Sequence, residues 1–83
     1  MTEQPLHLLI VDDEESIRMP LADHLRINYH YSVDTARDGQ DALQLVDKSQ
    51  GRYDVALIDQ VLEGSISGLE LLRELKTKYP EIQ

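Results

Sequence analysis

Cysteine is absent from the 83-residue chain, which excludes a disulfide staple and a thiolate metal site and suits a cytoplasmic location. Basic side chains are scarce: eight Lys and Arg stand against sixteen Asp and Glu, a net charge of −8. That balance argues against a nucleic-acid or anionic-membrane surface and towards cations or basic partners. No apolar run approaches the length that spans a bilayer, and Met1 to Pro5 lacks the basic segment and long apolar stretch of an export signal. His7, His24 and His30 show no ligand spacing on a common helix face and read as ordinary strand or surface residues. A chain of this length forms one small domain at most, with a thin core.

What is present is a set of short apolar runs that stop on acids. Tyr53 to Asp59 holds four successive apolar residues, Val55 to Ile58, the pattern of a strand buried on both faces. Leu6 to Val11 is a second such strand, and Asp12, Asp13, Glu14 and Glu15 follow it. Acids there also favour a helix amino terminus, which accounts for Glu14 and Glu15. The helix is expected from about Glu15 to Asn28, with Ile17, Leu21 and Leu25 as its buried stripe and local distortion at Pro20.

Tyr31 to Ala36 alternates weakly and reads as an edge strand. After a turn at Asp38-Gly39, a short helix from Gln40 to about Ser49 carries Ala42, Leu43 and Val46, and Gly51 is placed to end it in a left-handed cap. Gln60 to Ser67 reads as a loop. Ser67 or Gly68 begins a third helix, Leu69 to Tyr79, with Leu72, Leu75 and Tyr79 on its buried side. Pro80 stops it, and Glu81-Ile82-Gln83 is where a fourth strand would begin.

The order β-α-β-α-β-α specifies a parallel sheet with right-handed crossovers. In the strand order 2-1-3 a switch point falls between strands one and three, and Asp12, Asp13 and Asp59 meet there. Three gathered carboxylates repel one another until a cation or a basic side chain compensates them, and no basic side chain is visibly placed to do so. Oxygen ligands favour magnesium, manganese or calcium over zinc, and magnesium takes one or two carboxylates and accepts phosphate oxygens. Such a site suits phosphoryl transfer with Asp59 as the nucleophile.

The runs Leu8-Leu9-Ile10-Val11-Asp12-Asp13-Glu14, Tyr31 to Gly39 with Ala42-Leu43, Tyr53 to Asp59 and Gly68-Leu69-Glu70-Leu71-Leu72 resemble, in that order, the receiver domain of bacterial two-component response regulators. The resemblance implies a flavodoxin-like (CheY-like) doubly wound α/β fold in which Asp59 accepts a phosphoryl group from a sensor histidine kinase or phosphotransfer protein. It implies Mg2+, with Mn2+ as a substitute, held by Asp13, Asp59 and the backbone carbonyl of Val61, with Asp12 nearby acting largely through water. The domain would assist its own phosphorylation without being a turnover enzyme. Glu63 stands where the family usually has proline, in a longer loop. A receiver continues through two further strand-helix units carrying a Ser or Thr and a Lys, so residues 1–83 are expected to be a domain incomplete at its carboxyl end, with a possible output domain beyond.

Two rivals are a receiver-like module that only docks partners and a haloacid-dehalogenase-like phosphatase. The latter would use Asp12 and Glu14 and leaves Asp59 unexplained. The outer edge of strand three is expected to be bare, and self-association through it is expected.

Overall fold

A computed structural model describes residues 6–59 and 67–83. Val61, and the loop expected from Gln60 up to Ser67, therefore lie outside the described residues. The elements are β1 (His7–Val11), α1 (Glu15–Tyr29), β2 (Ser32–Ala36), α2 (Gly39–Lys48), β3 (Val55–Ile58) and α3 (Gly68–Lys78). The three strands are parallel in the order β2-β1-β3, as expected. Leu8 lies opposite both Val33 and Val55, and Val11 opposite both Ala36 and Ile58. No helix among the described residues is long and apolar enough to cross a membrane.

Because side chains alternate along a strand, β1 feeds two cores. Leu8 and Ile10 pack with Val33 against Ala22 of α1, and Val55 borders them. Leu9 and Val11 face the other way, onto Ala42 and Val46 of α2 and Leu71 and Leu75 of α3. β1 is thus buried on both faces, as its sequence predicts. β3 is not: Leu57 is 43% exposed, and its neighbours are half-buried. By alternation Leu57 shares the α1 side with Val55, and among the described residues α1 alone covers that side.

Two helical stripes are rotated from their expected positions. On α1 the buried residues are Arg18 and Ala22, with Leu25 half-buried, whereas Ile17 is 50% exposed and Leu21 also faces solvent. Ala22 is small enough to seat the helix closely on Leu8, Ile10 and Val33, and that contact sets the phase. On α3 Leu71 is fully buried and Leu72 is 43% exposed, because Gly68, Leu71 and Leu75 form the docking face. Pro20 leaves α1 continuous through Tyr29.

The starts of α2 and α3 are closed by side-chain caps, whereas Glu14 at the start of α1 makes no side-chain cap bond. Asp38 accepts the Asp41 N–H at 2.8 Å, and Ser67 accepts the Glu70 N–H at 3.1 Å, each closing a helix start. At the end of α2 the left-handed cap residue is Gln50 (φ 58°), and Gly51 (φ +74°) follows in the same region. The Gly51 N–H reaches the Val46 carbonyl at 2.8 Å and the Gln50 N–H reaches that of Asp47 at 3.1 Å, the paired bonds of a Schellman ending. A Cβ on Gly51 would lie 2.8 Å from Cε1 of Tyr79, whose ring sits over it. The Tyr79 hydroxyl donates to Asp47 at 2.8 Å, so the carboxyl ends of α2 and α3 are tied together.

The outer edge of β3 is partly covered rather than bare. The Gln83 N–H donates to the Asp54 carbonyl at 3.1 Å, and the Ala56 N–H donates to that of Gln83 at 2.8 Å. That is the bonding of a parallel bridge, with Ile82 buried in the α2/α3 core. The strand expected to begin at Glu81 to Gln83 thus starts to pair where it should.

Candidate functional site

The register that sets Val11 opposite Ile58 brings the carboxyl ends of β1 and β3 side by side. The Asp12 N–H donates to the Ala36 carbonyl at 3.1 Å and the Asp59 N–H to that of Val11 at 2.9 Å. Each bond carries the ladder one residue past its strand and fixes where the acid leaves the sheet. One carboxylate oxygen from each of Asp12, Asp13 and Asp59 lies within 4.8 Å of the others, and all three residues are half-buried. The sequence therefore locates all three, and the fold brings them together.

Around them the first turn of α1 is organised by main-chain and acidic groups. Asp12 Oδ1 accepts the Glu14 N–H at 2.9 Å, and the Glu14 carbonyl accepts the N–H groups of Ile17 and Arg18 at 3.1 and 2.9 Å. Glu14 and Glu15 are exposed at this helix start, where their charge complements the dipole. A donor set made only of carboxylate oxygens, open to water on one side, fits a hard divalent cation and not a thiophilic one.

Arg18 is the residue that sequence reasoning missed. It is only 6% exposed, and its Nη1–H donates to the Asp12 carbonyl at 2.8 Å. Its Nε is buried with no hydrogen-bond partner among the described residues. Its guanidinium therefore touches the backbone of Asp12, a contact that the sequence reading did not place there. The available signal was its place one turn into α1, in phase with Ala22 and Leu25.

A second polar cluster occupies the opposite end of the sheet. Asp34 Oδ2 on β2 accepts the Tyr53 hydroxyl at 2.7 Å and lies 3.1 Å from His7 Nε2 on β1. His7 Nδ1 is 2.8 Å from the Arg52 carbonyl, and its ring lies 4.3 Å from that of Tyr53. Burial first, and then the Asp34 carboxylate, push the Tyr53 hydroxyl well above its ordinary value of 10.0. Of the three histidines, His7 is thus a cross-strand tie. His24 and His30 sit on α1 and at its left-handed end.

Comparison with known proteins agrees with this geometry. Residues 8–83 match the family described as response regulator receiver domain. Response regulator MprA of Mycolicibacterium vanbaalenii is 37% identical over 73 residues, which is 88% of this chain and 30% of that protein. Sensor kinase CckA of Brucella abortus is 33% identical over 76 residues, 92% of this chain and 8% of that protein. The solved structure of response regulator TrrA from Thermotoga maritima, in complex with Mg(2+)-BeF, superposes with a TM-score of 0.81 at 36% identity. That match covers 94% of this chain and 64% of the other. The chain spans under a third of the length of the curated response regulators it matches. From the acid-terminated strands in their 2-1-3 order and from a family match over residues 8–83, this chain belongs to the receiver domains of two-component response regulators.

Proposed function

We propose that Asp59 is the phosphoacceptor and that Asp12, Asp13 and Asp59, with the backbone carbonyl of Val61, hold Mg2+. The observation that carries this reading is the convergence of three carboxylate oxygens within 4.8 Å at the switch point of the sheet. The TrrA structure, whose ligand is a magnesium-bound beryllofluoride, supports the choice of metal by analogy. When bound, Mg2+ would supply positive charge to the phosphoryl oxygens. Mn2+ has the same ligand preferences and would substitute.

The chain's own residues then do the following. Asp59, fixed by its N–H bond to Val11, presents a carboxylate oxygen to phosphorus. A P–O bond forms as the donor's P–N bond breaks, and the imidazole of the donor phosphohistidine leaves with the electron pair and takes up a proton. Asp13 and Asp12 would hold the cation and orient the incoming group. The product is an acyl phosphate, so the domain is a signalling acceptor and not a turnover enzyme. The donor is a sensor histidine kinase or a phosphotransfer protein in the cytoplasm, and an output domain in the whole protein reads the change.

With the chain placed among receivers, the phosphatase reading of Asp12 and Glu14 has no remaining support. A docking-only receiver is separated from the phosphoacceptor by one experiment, in which the protein is incubated with a phosphodonor and Mg2+. Labelling of wild type and its loss in Asp59→Asn is the expected result, because an amide is a poor nucleophile; full labelling of the variant overturns the assignment. Self-association through β3 draws support from exposed Leu57 and is opposed by the Gln83 bonds.

A further inference from the structure

We propose that Arg18 is a positioning residue of the acidic site, an inference that rests on the metal-binding reading of Asp12, Asp13 and Asp59 given above. The carbonyl that Arg18 grips belongs to the peptide unit joining Asp12 to Asp13. That unit is planar, so fixing its oxygen fixes its tilt, and with it the directions in which both acids leave the chain. Asp12 is held from its other side by its N–H bond to Ala36 and by its Oδ1 bond from Glu14. Without Arg18, the Asp12–Asp13 peptide would keep no side-chain partner on its carbonyl among the described residues.

Burial makes the arrangement informative. Arg18 as a residue is 6% exposed, yet its guanidinium hydrogen-bonds a neutral carbonyl. Burying a charge in this way is costly unless neighbouring negative charge offsets it. The bond to the Asp12 carbonyl places the Arg18 charge on the backbone between two acids of the site, and the planar fork of the guanidinium keeps its direction. Two roles are then conceivable, and they have opposite signs. As a mere counter-charge, Arg18 would compete with a bound cation, and its removal would tighten Mg2+ binding. As a clamp, its removal would let the Asp12–Asp13 peptide rotate and weaken binding, in spite of the lost repulsion. The bond to the peptide oxygen, and not to a carboxylate, points to the clamp.

The test is calorimetric titration of Mg2+ into the intact protein as wild type, Arg18→Met, Arg18→Gln and Arg18→Lys, with folding checked by circular dichroism. Met fills the buried channel and donates nothing; Gln covers the case in which Met does not fold. The expected result is affinity about 10-fold or more below wild type in Met and Gln, the loss typical when a group that orients a metal ligand is removed. Lys, which keeps the charge and one donor, restores part of it. The Mg2+ concentration giving half-maximal labelling by acetyl phosphate rises by the same factor, while the rate at saturating Mg2+ returns towards wild type. Equal or tighter Mg2+ binding in a folded neutral variant overturns the clamp and leaves the site reading intact. Absence of Mg2+ binding by wild type overturns both.

Discussion

Replacing Asp13 by Asn should make the cation-free protein more stable and the cation-loaded protein relatively less so. The three carboxylate oxygens lie within 4.8 Å of one another. Two unit charges at that separation repel by about 0.9 kcal/mol at a water-like dielectric and about 3.5 kcal/mol at an effective value near 20. Asp13 faces two such charges. The residues are half-buried and Asp12 adjoins Asp13 in the unfolded chain as well, so the low end applies and the net relief is about 1–2 kcal/mol. Asp13 makes no hydrogen bond among the described residues that Asn would lose. In a domain this small each kcal/mol moves Tm by about 4–8 °C. Thermal and urea unfolding at low salt, with and without Mg2+, measure both arms. Wild type should gain about 2.7 kcal/mol when Mg2+ reaches a hundred times its Kd, and Asp13→Asn much less, so the order of stabilities reverses. A variant that is less stable without Mg2+, or that gains as much as wild type with it, refutes the clustered-charge reasoning.

Leu71→Ala should cost about 2–5 kcal/mol, because the side chain is fully enclosed between α3 and the sheet. Leu72→Ala should cost below about 1 kcal/mol, and denaturant melts of the pair read out which face of α3 docks. Tyr53→Phe keeps the ring packing and loses the bond to Asp34, a loss of about 1 kcal/mol. The raised Tyr53 hydroxyl contributes stability that is fully present below about pH 10 and lost as pH climbs through its folded value, so the gap between wild type and Phe should be flat to pH 10 and shrink above it. If the chain self-associates through β3, sedimentation velocity of Leu57→Lys should show a shift towards monomer, since a charge on an exposed apolar strand opposes pairing; an unchanged distribution places the contact elsewhere.

The strand order and the meeting of Asp12, Asp13 and Asp59 were legible because each rests on a strong local pattern: apolar runs that end on acids, joined by crossovers of fixed hand. The phase of the helices was not legible. On α1 an apolar count selects Ile17 and Leu21, yet the buried face is set by how closely Ala22 can approach β1, and it carries Arg18 inward. On α3 two adjacent leucines fit a helical stripe equally well, and only docking through Gly68 and Leu75 chooses Leu71. The burial of β3 is overestimated by its apolar run taken alone, whereas the order of the crossovers puts one helix on the α1 face and two on the other, which leaves Leu57 exposed. The tie of His7, Asp34 and Tyr53 joins residues far apart in sequence, each unremarkable alone. Gln50 takes the left-handed cap position expected of Gly51, because the α2 ending uses two such residues in succession.

The ring of Tyr79 resting on Gly51 links the permitted variation at two distant positions. Any side chain at 51 would collide with that ring as well as occupy a disfavoured backbone region, so drift at this site is blocked while the tyrosine stays. Shortening position 79 lifts the collision but also releases the Asp47 carboxylate to the looser contact from Lys78 at 3.8 Å. In a saturation library of both positions, non-glycine residues at 51 should therefore survive selection for folding mainly in the company of small residues at 79. Asn, which tolerates positive φ better than most, should be the first to appear.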